Sequence, residues 1–407
     1  MLSHDTDGVC GDRRMYSGGL SMNMPHHHHE PRVLILGGFG RVGLEAARYL
    51  IEETDASLVL CSRAAREIPA WMKKSAAHRV QARVLDIENI SALETACAQV
   101  QVVLSCVGPS GQVGDRVARA CKRVGTPLVD AGGYDPLLRS LEQAEKDTPS
   151  GVPLVINVGL LPGLSGLFPH WLIQDRCAGR KLEQLDVHYV GRDAWTYNSA
   201  WDIIHSLGGF GEDRGFCYLQ NMRVVRVSMR QASRKVLFPA PIGRASTMLI
   251  YAEEIARLAR QHGIGIARVY GANIGPRATL VCMLAKVLRF YRSARGIDRG
   301  ARWLVEASAR DMRKLAPVYG MRVDLRYQDG TTDSAALTLA DTYRATGAVI
   351  GTTARCLLEG EGPGPGVFML HEAVVADRFM RQLEKLALVC IQHEESEPSR
   401  ATAGMSV

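Results

Sequence analysis

At 407 residues the chain is too long for one ordinary core and suits two domains. With 46% apolar and 22% charged residues it has globular proportions, which excludes a disordered protein outside the chain ends. No window approaches the roughly 18–20 uninterrupted apolar residues of a membrane helix, and residues 1–30 lack the apolar core of a secretory signal, so the expectation is a cytoplasmic protein with no membrane partner. The formal charge of +7 reads as spread along the chain. That argues against nucleic acid, which needs a clustered basic stripe, and leaves a mild attraction to an acidic partner. The ten cysteines stand singly with no C-x-x-C pair, the pattern of buried hydrophobes in a reducing compartment rather than of disulfides or zinc.

Residues 1–30 are polar and aperiodic and end in His26-His27-His28-His29, a solvated tail whose histidines lack the fixed geometry of a metal site. No metal is expected. From Pro31 short apolar runs at 33–36, 58–60, 80–85, 102–104, 127–129 and 154–156 predict six strands, separated by helical patterns such as the stripe Val113, Val117, Ala120, Cys121 and Val124. Such alternation predicts an α/β unit at 31–160: a Rossmann-like, doubly wound parallel sheet covered on both faces. Beyond it, residues 161–340 predict a substrate or oligomerisation domain of α+β type on a mostly antiparallel sheet. Its hairpin places Met321, Val323, Leu325 and Tyr327 on one face before the turn at Asp329-Gly330, with helices at 246–261 and 277–291. Asp341 caps a helix running to Glu359, and residues 341–393 are expected as helices that pack back on the nucleotide domain; 394–407 are expected to be a second disordered tail.

The strongest chemical feature is Gly37-Gly38-Phe39-Gly40-Arg41-Val42-Gly43, which follows a predicted strand and opens a predicted helix. Gly38, Gly40 and Gly43 fit G-x-G-x-x-G, with backbone N–H groups free to approach a pyrophosphate. At the end of the second strand, Cys61-Ser62-Arg63 offers a hydroxyl and a guanidinium where NAD enzymes place a carboxylate. That chemistry suits the 2′-phosphate of NADP, with Arg41 or Arg66 as a second charge. Asp86-Ile87 is expected beside the adenine, and Ser105-Cys106-Val107-Gly108-Pro109 beside the nicotinamide ribose. Asp130-Ala131-Gly132-Gly133 follows the fifth strand into the same crevice, so Gly132 joins the cofactor-binding set.

Several strings together resemble the saccharopine dehydrogenase (saccharopine reductase)-like family. They are residues 34–43, 105–109 with Gly114, Ala118 and Cys121, 129–132, 159–165, 343–347 and 358–360. The resemblance covers the nucleotide domain and the late helix, and hardly touches 180–330. It implies an NADP-dependent enzyme that makes or uses a C=N bond, with the late helix packed on the nucleotide domain. Stand-alone thiazolinyl imine reductases of enantio-pyochelin-type siderophore biosynthesis resemble saccharopine reductases of this shortened kind. On that resemblance the substrate is an imine, expected on a carrier domain of a nonribosomal peptide synthetase, and the assembly a homodimer. The alternatives are a saccharopine-type amino-acid dehydrogenase and a non-catalytic NADP-binding regulator.

Imine reduction needs a hydride on carbon and a proton on nitrogen, hence an acid within hydrogen-bond reach. His188, Tyr189, Trp195, Tyr197, Trp201 and His205 gather within 18 positions, and Tyr197 and His205 are the candidate donors, followed by Asp130 and Tyr134. The same rings would also serve as ordinary core with satisfied polar tips. A short-chain dehydrogenase is disfavoured because none of the twelve tyrosines has lysine four positions on.

Overall fold

The computed structural model describes residues 30–132, 135–177, 179–208 and 216–394. The expected tails, apart from Glu30 and Glu394, lie outside these residues, as do Gly133 and Tyr134. All six expected strands form: β1 (Arg32–Leu36), β2 (Ser57–Ser62), β3 (Val80–Val84), β4 (Val102–Ser105), β5 (Leu128–Asp130) and β6 (Pro153–Ile156). They pair in parallel in the order β6-β5-β4-β1-β2-β3. Parallel neighbours need crossovers, and their apolar residues are buried on both faces: Val33 and Ile35 belong to one core, Leu34 and Leu36 to another. The expected stripe from Val113 to Val124 is split. Ser110–Val113 is a short separate turn, and the helix Arg116–Val124 buries Val117, Ala118, Ala120 and Cys121.

The second unit is a nine-stranded mixed sheet built from β7 (Leu182–Arg192), β8 (Cys217–Gln220), β9 (Arg223–Arg226), β10 (Ser233–Phe238), β11 (Gly243–Ile250), β12 (Ile266–Asn273), β13 (Val318–Tyr327) and β14 (Thr332–Leu339), with one further strand from the chain's end. Only β12 with β7 is a parallel pair; the other pairings are antiparallel. The expected hairpin is β13 and β14, in register from Tyr319 with Leu339 to Arg326 with Thr332. The helix expected over 246–261 starts only at Glu253. Residues 246–250 belong to β11, where Ala245, Thr247 and Leu249 are buried alternately, a period of two rather than 3.6. The helix expected over 277–291 runs Pro276–Val287 and stops where Arg289 adopts φ 56°.

The end of the chain departs from the all-helix expectation. Asp341 does cap the helix Thr342–Leu358, accepting from the Arg344 N–H. Then β15 (Gly366–Met369) adds a parallel seventh strand beside β6, and β16 (Cys390–Glu394) closes the far edge of the mixed sheet against β14. The helix Thr342–Leu358 lies against the helix Arg41–Glu53 at a distance that only small residues permit. A Cβ on Gly347 would stand 2.6 Å from the Ala46 nitrogen, and one on Gly351 would stand 2.8 Å from Tyr49 Cγ.

Between the sheets the core carries neutral histidines. The His371 ring lies 5.9 Å from that of His170, which is 5.6 Å from His262, and neither ring nitrogen of His371 has a hydrogen-bond partner among the described residues. Burial, and then the neighbouring His170, holds the His371 imidazole down to about 3; burial and His262 hold His170 at about 4. An unfolded histidine titrates near 6.5, so below that value the unfolded chain takes up protons that the fold refuses. Stability is therefore greatest above about pH 6.5 and falls as pH drops toward about 4. Between about pH 6.5 and pH 5, His371 alone should cost about 2 kcal/mol. Urea midpoints measured across this range should decline in the parent and flatten in His371→Leu; parallel curves would refute the assignment.

Candidate active site

The loop between β1 and the helix Arg41–Glu53 has the geometry of an anion cradle. Gly37 is left-handed, and the Gly38 N–H donates to the Cys61 carbonyl at 3.1 Å, which ties the loop to the end of β2. Gly43 must be glycine, since its Cβ would stand 2.8 Å from the Gly38 Cα. A Cβ on Gly40, by contrast, meets only the Gly37 carbonyl, at 3.2 Å, and otherwise faces open space. Gly40 is also the N-cap and supplies no side-chain acceptor, so the N–H groups of the first turn point outward unsatisfied by any cap. Phe39 and Val42 are half-buried and pack on the core beneath.

At the end of β2, Ser62 donates its hydroxyl proton to the Ala64 carbonyl at 2.6 Å, leaving lone pairs outward. Arg63 is exposed and makes no ion pair among the described residues. Asp86 is exposed after β3 and accepts from the Glu88 N–H, and Ile87 packs half-buried beside it. Arg41 behaves differently from a phosphate ligand. Its guanidinium donates to the Ala194 carbonyl at 2.8 Å, lies 3.9 Å from Asp193 and covers the Tyr343 ring at 3.5 Å. What Arg41 offers a phosphate is its backbone N–H.

Beyond β4, Ser105 is buried, and Cys106, Val107 and Gly108 lead toward the short turn Ser110–Val113. Burial, reinforced by Asp130, pushes the Cys106 thiol up to about 12, so it stays neutral. Asp130 is itself buried at the end of β5 and accepts from the Gly132 N–H at 2.6 Å. Burial raises its carboxyl, offset by that bond and by Ser105.

One face of the helix Tyr197–Ser206 lies over this edge. A Cβ on Gly108 would meet Asn198 at 3.3 Å, and one on Gly111 would meet the Trp201 ring at 3.1 Å and His205 at 3.4 Å. Asp202 accepts from the Ser110 N–H at 3.1 Å and from the Ser110 hydroxyl at 3.1 Å. Burial pushes the Asp202 carboxyl up to about 6, and the bonds from Ser110 and Gly111 hold it from going higher. His205 is half-buried, with its ring 4.9 Å from that of Trp201, and burial lowers its pKa.

Of the donors expected from sequence, the structure brings His205 and Asp130 to this crevice and leaves Tyr197 outside it. The Tyr197 hydroxyl donates to Asp298 at 2.7 Å on an exposed surface, and that bond raises its pKa. His188 is a core residue of β7, stacked 4.6 Å from Tyr270. Sequence reading missed Asp202 and Asn198, although positions 198, 202 and 205 have the spacing of one helical face. It also missed Glu254, fully buried, which accepts from the Gly163 N–H at 2.9 Å and from Ser165. Burial lifts its carboxyl to about 7.

The glycine loop and the parallel sheet define a dinucleotide-binding unit, and comparison with known proteins identifies the nucleotide. Residues 33–151 match the family described as saccharopine dehydrogenase NADP binding domain. The chain therefore carries an NADP-binding domain at residues 33–151, with NADP or NADPH as its cofactor. Its fold is similar to that of apo saccharopine dehydrogenase (L-Glu forming) from Saccharomyces cerevisiae, with TM-score 0.63 and 17% identity over 90% of this chain and 100% of that one. A meso-dapdh mutant from Clostridium tetani aligns with TM-score 0.43 and 12% identity, over 88% of this chain and 100% of that one. No curated protein matches the chain.

Two consequences are measurable. NADPH should bind at least about tenfold more tightly than NADH, and Arg63→Ala should erase most of the preference, a loss of roughly 1.5–3 kcal/mol for a charge-assisted contact; equal affinities in the parent would sink this account. Gly40→Val should abolish NADPH binding while leaving the thermal midpoint near that of the parent, because its side chain enters the pyrophosphate space and not the core. An unchanged fluorescence titration with NADPH would contradict it.

Proposed function

We propose that the chain is an NADPH-dependent reductase of a C=N bond, with the crevice between residues 105–111 and the helix Tyr197–Ser206 as its reaction site. Bound NADPH supplies the hydride. The carrying observation is Asp202, a half-buried carboxyl at that crevice, pushed up to about 6 and hydrogen-bonded to Ser110, so that its acid form is populated close to neutral pH. The conjugate carboxylate remains held by Ser110 and Gly111, so the proton given to the imine nitrogen leaves behind a charge already solvated by fixed donors. Trp201 and His205 pack over Gly111 with their rings tilted 42° to each other and give this edge of the crevice an aromatic lining. His205 stays neutral through burial and serves as a hydrogen-bonding partner rather than as the acid.

The substrate we infer is a thiazolinyl imine, reduced to a thiazolidine while tethered to a carrier domain in nonribosomal siderophore biosynthesis. The resemblance to that group of reductases in the nucleotide domain and the late helix supports this reading, as does the aromatic lining of the crevice. NADPH consumption with a synthetic 2-aryl-thiazoline thioester, set beside 2-aminoadipate semialdehyde plus glutamate, tests it. Turnover of the second mixture alone would return the chain to amino-acid metabolism, and turnover of neither across a panel of cyclic imines would favour a regulator.

With the active substrate, Asp202→Asn should lower kcat by roughly 10²–10⁴ with NADPH affinity little changed, and should remove the decline in parental kcat expected as pH rises through about 6. Tyr197→Phe should leave kcat within about twofold, since its hydroxyl serves Asp298. Full activity in Asp202→Asn would move the proton to Asp130 or His205.

A further inference from the structure

The chain's charge is not evenly distributed. Residues 276–314 hold ten Lys and Arg against three Asp and Glu, a surplus equal to the whole formal charge of +7, so the remainder of the chain is balanced. The same stretch contains a second anomaly. Along the helix Pro276–Val287 and its cap, Leu280, Met283, Leu284, Val287 and Leu288 recur at the spacing of one helical stripe, and all five are exposed, Val287 to 75%. The opposite stripe, with Ala278 and Ala285, is the buried one, facing the helix Ala294–Asp311. Soluble surfaces scatter single apolar residues, whereas a continuous stripe marks a docking face.

At the stripe's C-terminal end stand Arg289, Arg292, Arg295 and Arg299, all exposed and without an ion pair among the described residues. Trp303, on the neighbouring helix, is 42% exposed and its ring lies 5.5 Å from that of Phe290. We propose that this helix and the arginines following it dock the protein on an anionic lipid bilayer. The expectation of no membrane partner rested on the lack of a spanning helix, and among the described residues no helix is long and apolar enough to cross; a surface-lying helix needs no such length.

Charge decides between occupants. A second copy would bring two surpluses of the same sign together, and the acidic groups of this stretch are already engaged: Asp298 with Arg302, Glu306 with Arg310, Asp311 with Arg277. An anionic surface answers every unpaired arginine at once, and protruding Leu, Met and Val side chains enter a fluid acyl layer without a complementary groove. An acidic protein would satisfy the arginines but would have to supply that groove.

The test is co-sedimentation of the full chain with vesicles of phosphatidylcholine alone and of phosphatidylcholine with phosphatidylglycerol. Binding should be at least about tenfold stronger to the anionic vesicles and fall away near about 1 M salt, where the Debye length shrinks to about 3 Å. Leu284→Glu with Val287→Glu, and separately Arg289→Glu with Arg292→Glu, should each reduce it at least about tenfold while NADPH titration stays that of the parent. Equal partition into both vesicle types would overturn the proposal. So would no binding to either, whether the chain runs as a monomer or as a dimer that Val287→Glu dissociates, the latter assigning the stripe to a second copy.

Discussion

Everything at the crevice depends on how closely two helices approach. Gly347 and Gly351, one turn apart, let the helix Thr342–Leu358 rest on the backbone of the helix Arg41–Glu53. That contact fixes the N-terminal end of the late helix beside the start of the nucleotide helix. There Tyr343 supports the Arg41 guanidinium and accepts from the Thr196 N–H at 3.0 Å, while Thr342 donates to Asp193. Residues 193–196 are thereby held against both domains, and the helix that starts at Tyr197 leaves from this anchored point with Asn198, Asp202 and His205 directed at residues 108–111. A side chain at Gly347 would disturb the crevice through this chain of contacts without touching it.

This arrangement explains why Arg41 was legible as an important residue and not legible in its role. Its position after the glycine loop suggests a phosphate; its partners, Ala194, Asp193 and Tyr343, are about 150 or 300 residues away in sequence and leave no local pattern. The nucleotide domain was readable because its information is local. Strand period, glycine spacing and the residues ending β2 all lie within a few positions of what they determine. Fold class was readable for the same reason, and the mixed sheet followed from the β13–β14 hairpin.

What sequence could not supply was pairing at a distance. The strands β15 and β16 are four and five residues long and join opposite sheets, yet nothing in their own pattern says which edge they meet. Tyr197 and Asp202 show the same limit within one helix. Both are polar residues in a segment rich in rings, and only the packing of the helix between residues 108–111 and the helix Ala294–Asp311 decides that one faces the crevice and the other Asp298. Glu254 was invisible because a lone carboxylate in an amphipathic helix reads as solvated; its burial arises from the loop at Gly163 and Ser165 closing over it.

The acidity of Asp202 is a property of both domains. Burial in the interface drives the carboxyl toward its neutral form, and donors that belong to the loop after β4 restrain it. The side chain comes from one domain and its restraint from the other, so relative position and proton affinity are a single variable. Opening the crevice would hydrate the carboxyl and return it toward the ordinary carboxylate range near 4, discharging the proton to solvent. Closing it restores the acid. The Ser110–Asp202 contact therefore makes the acid form depend on the loop after β4 and the helix Tyr197–Ser206 being together.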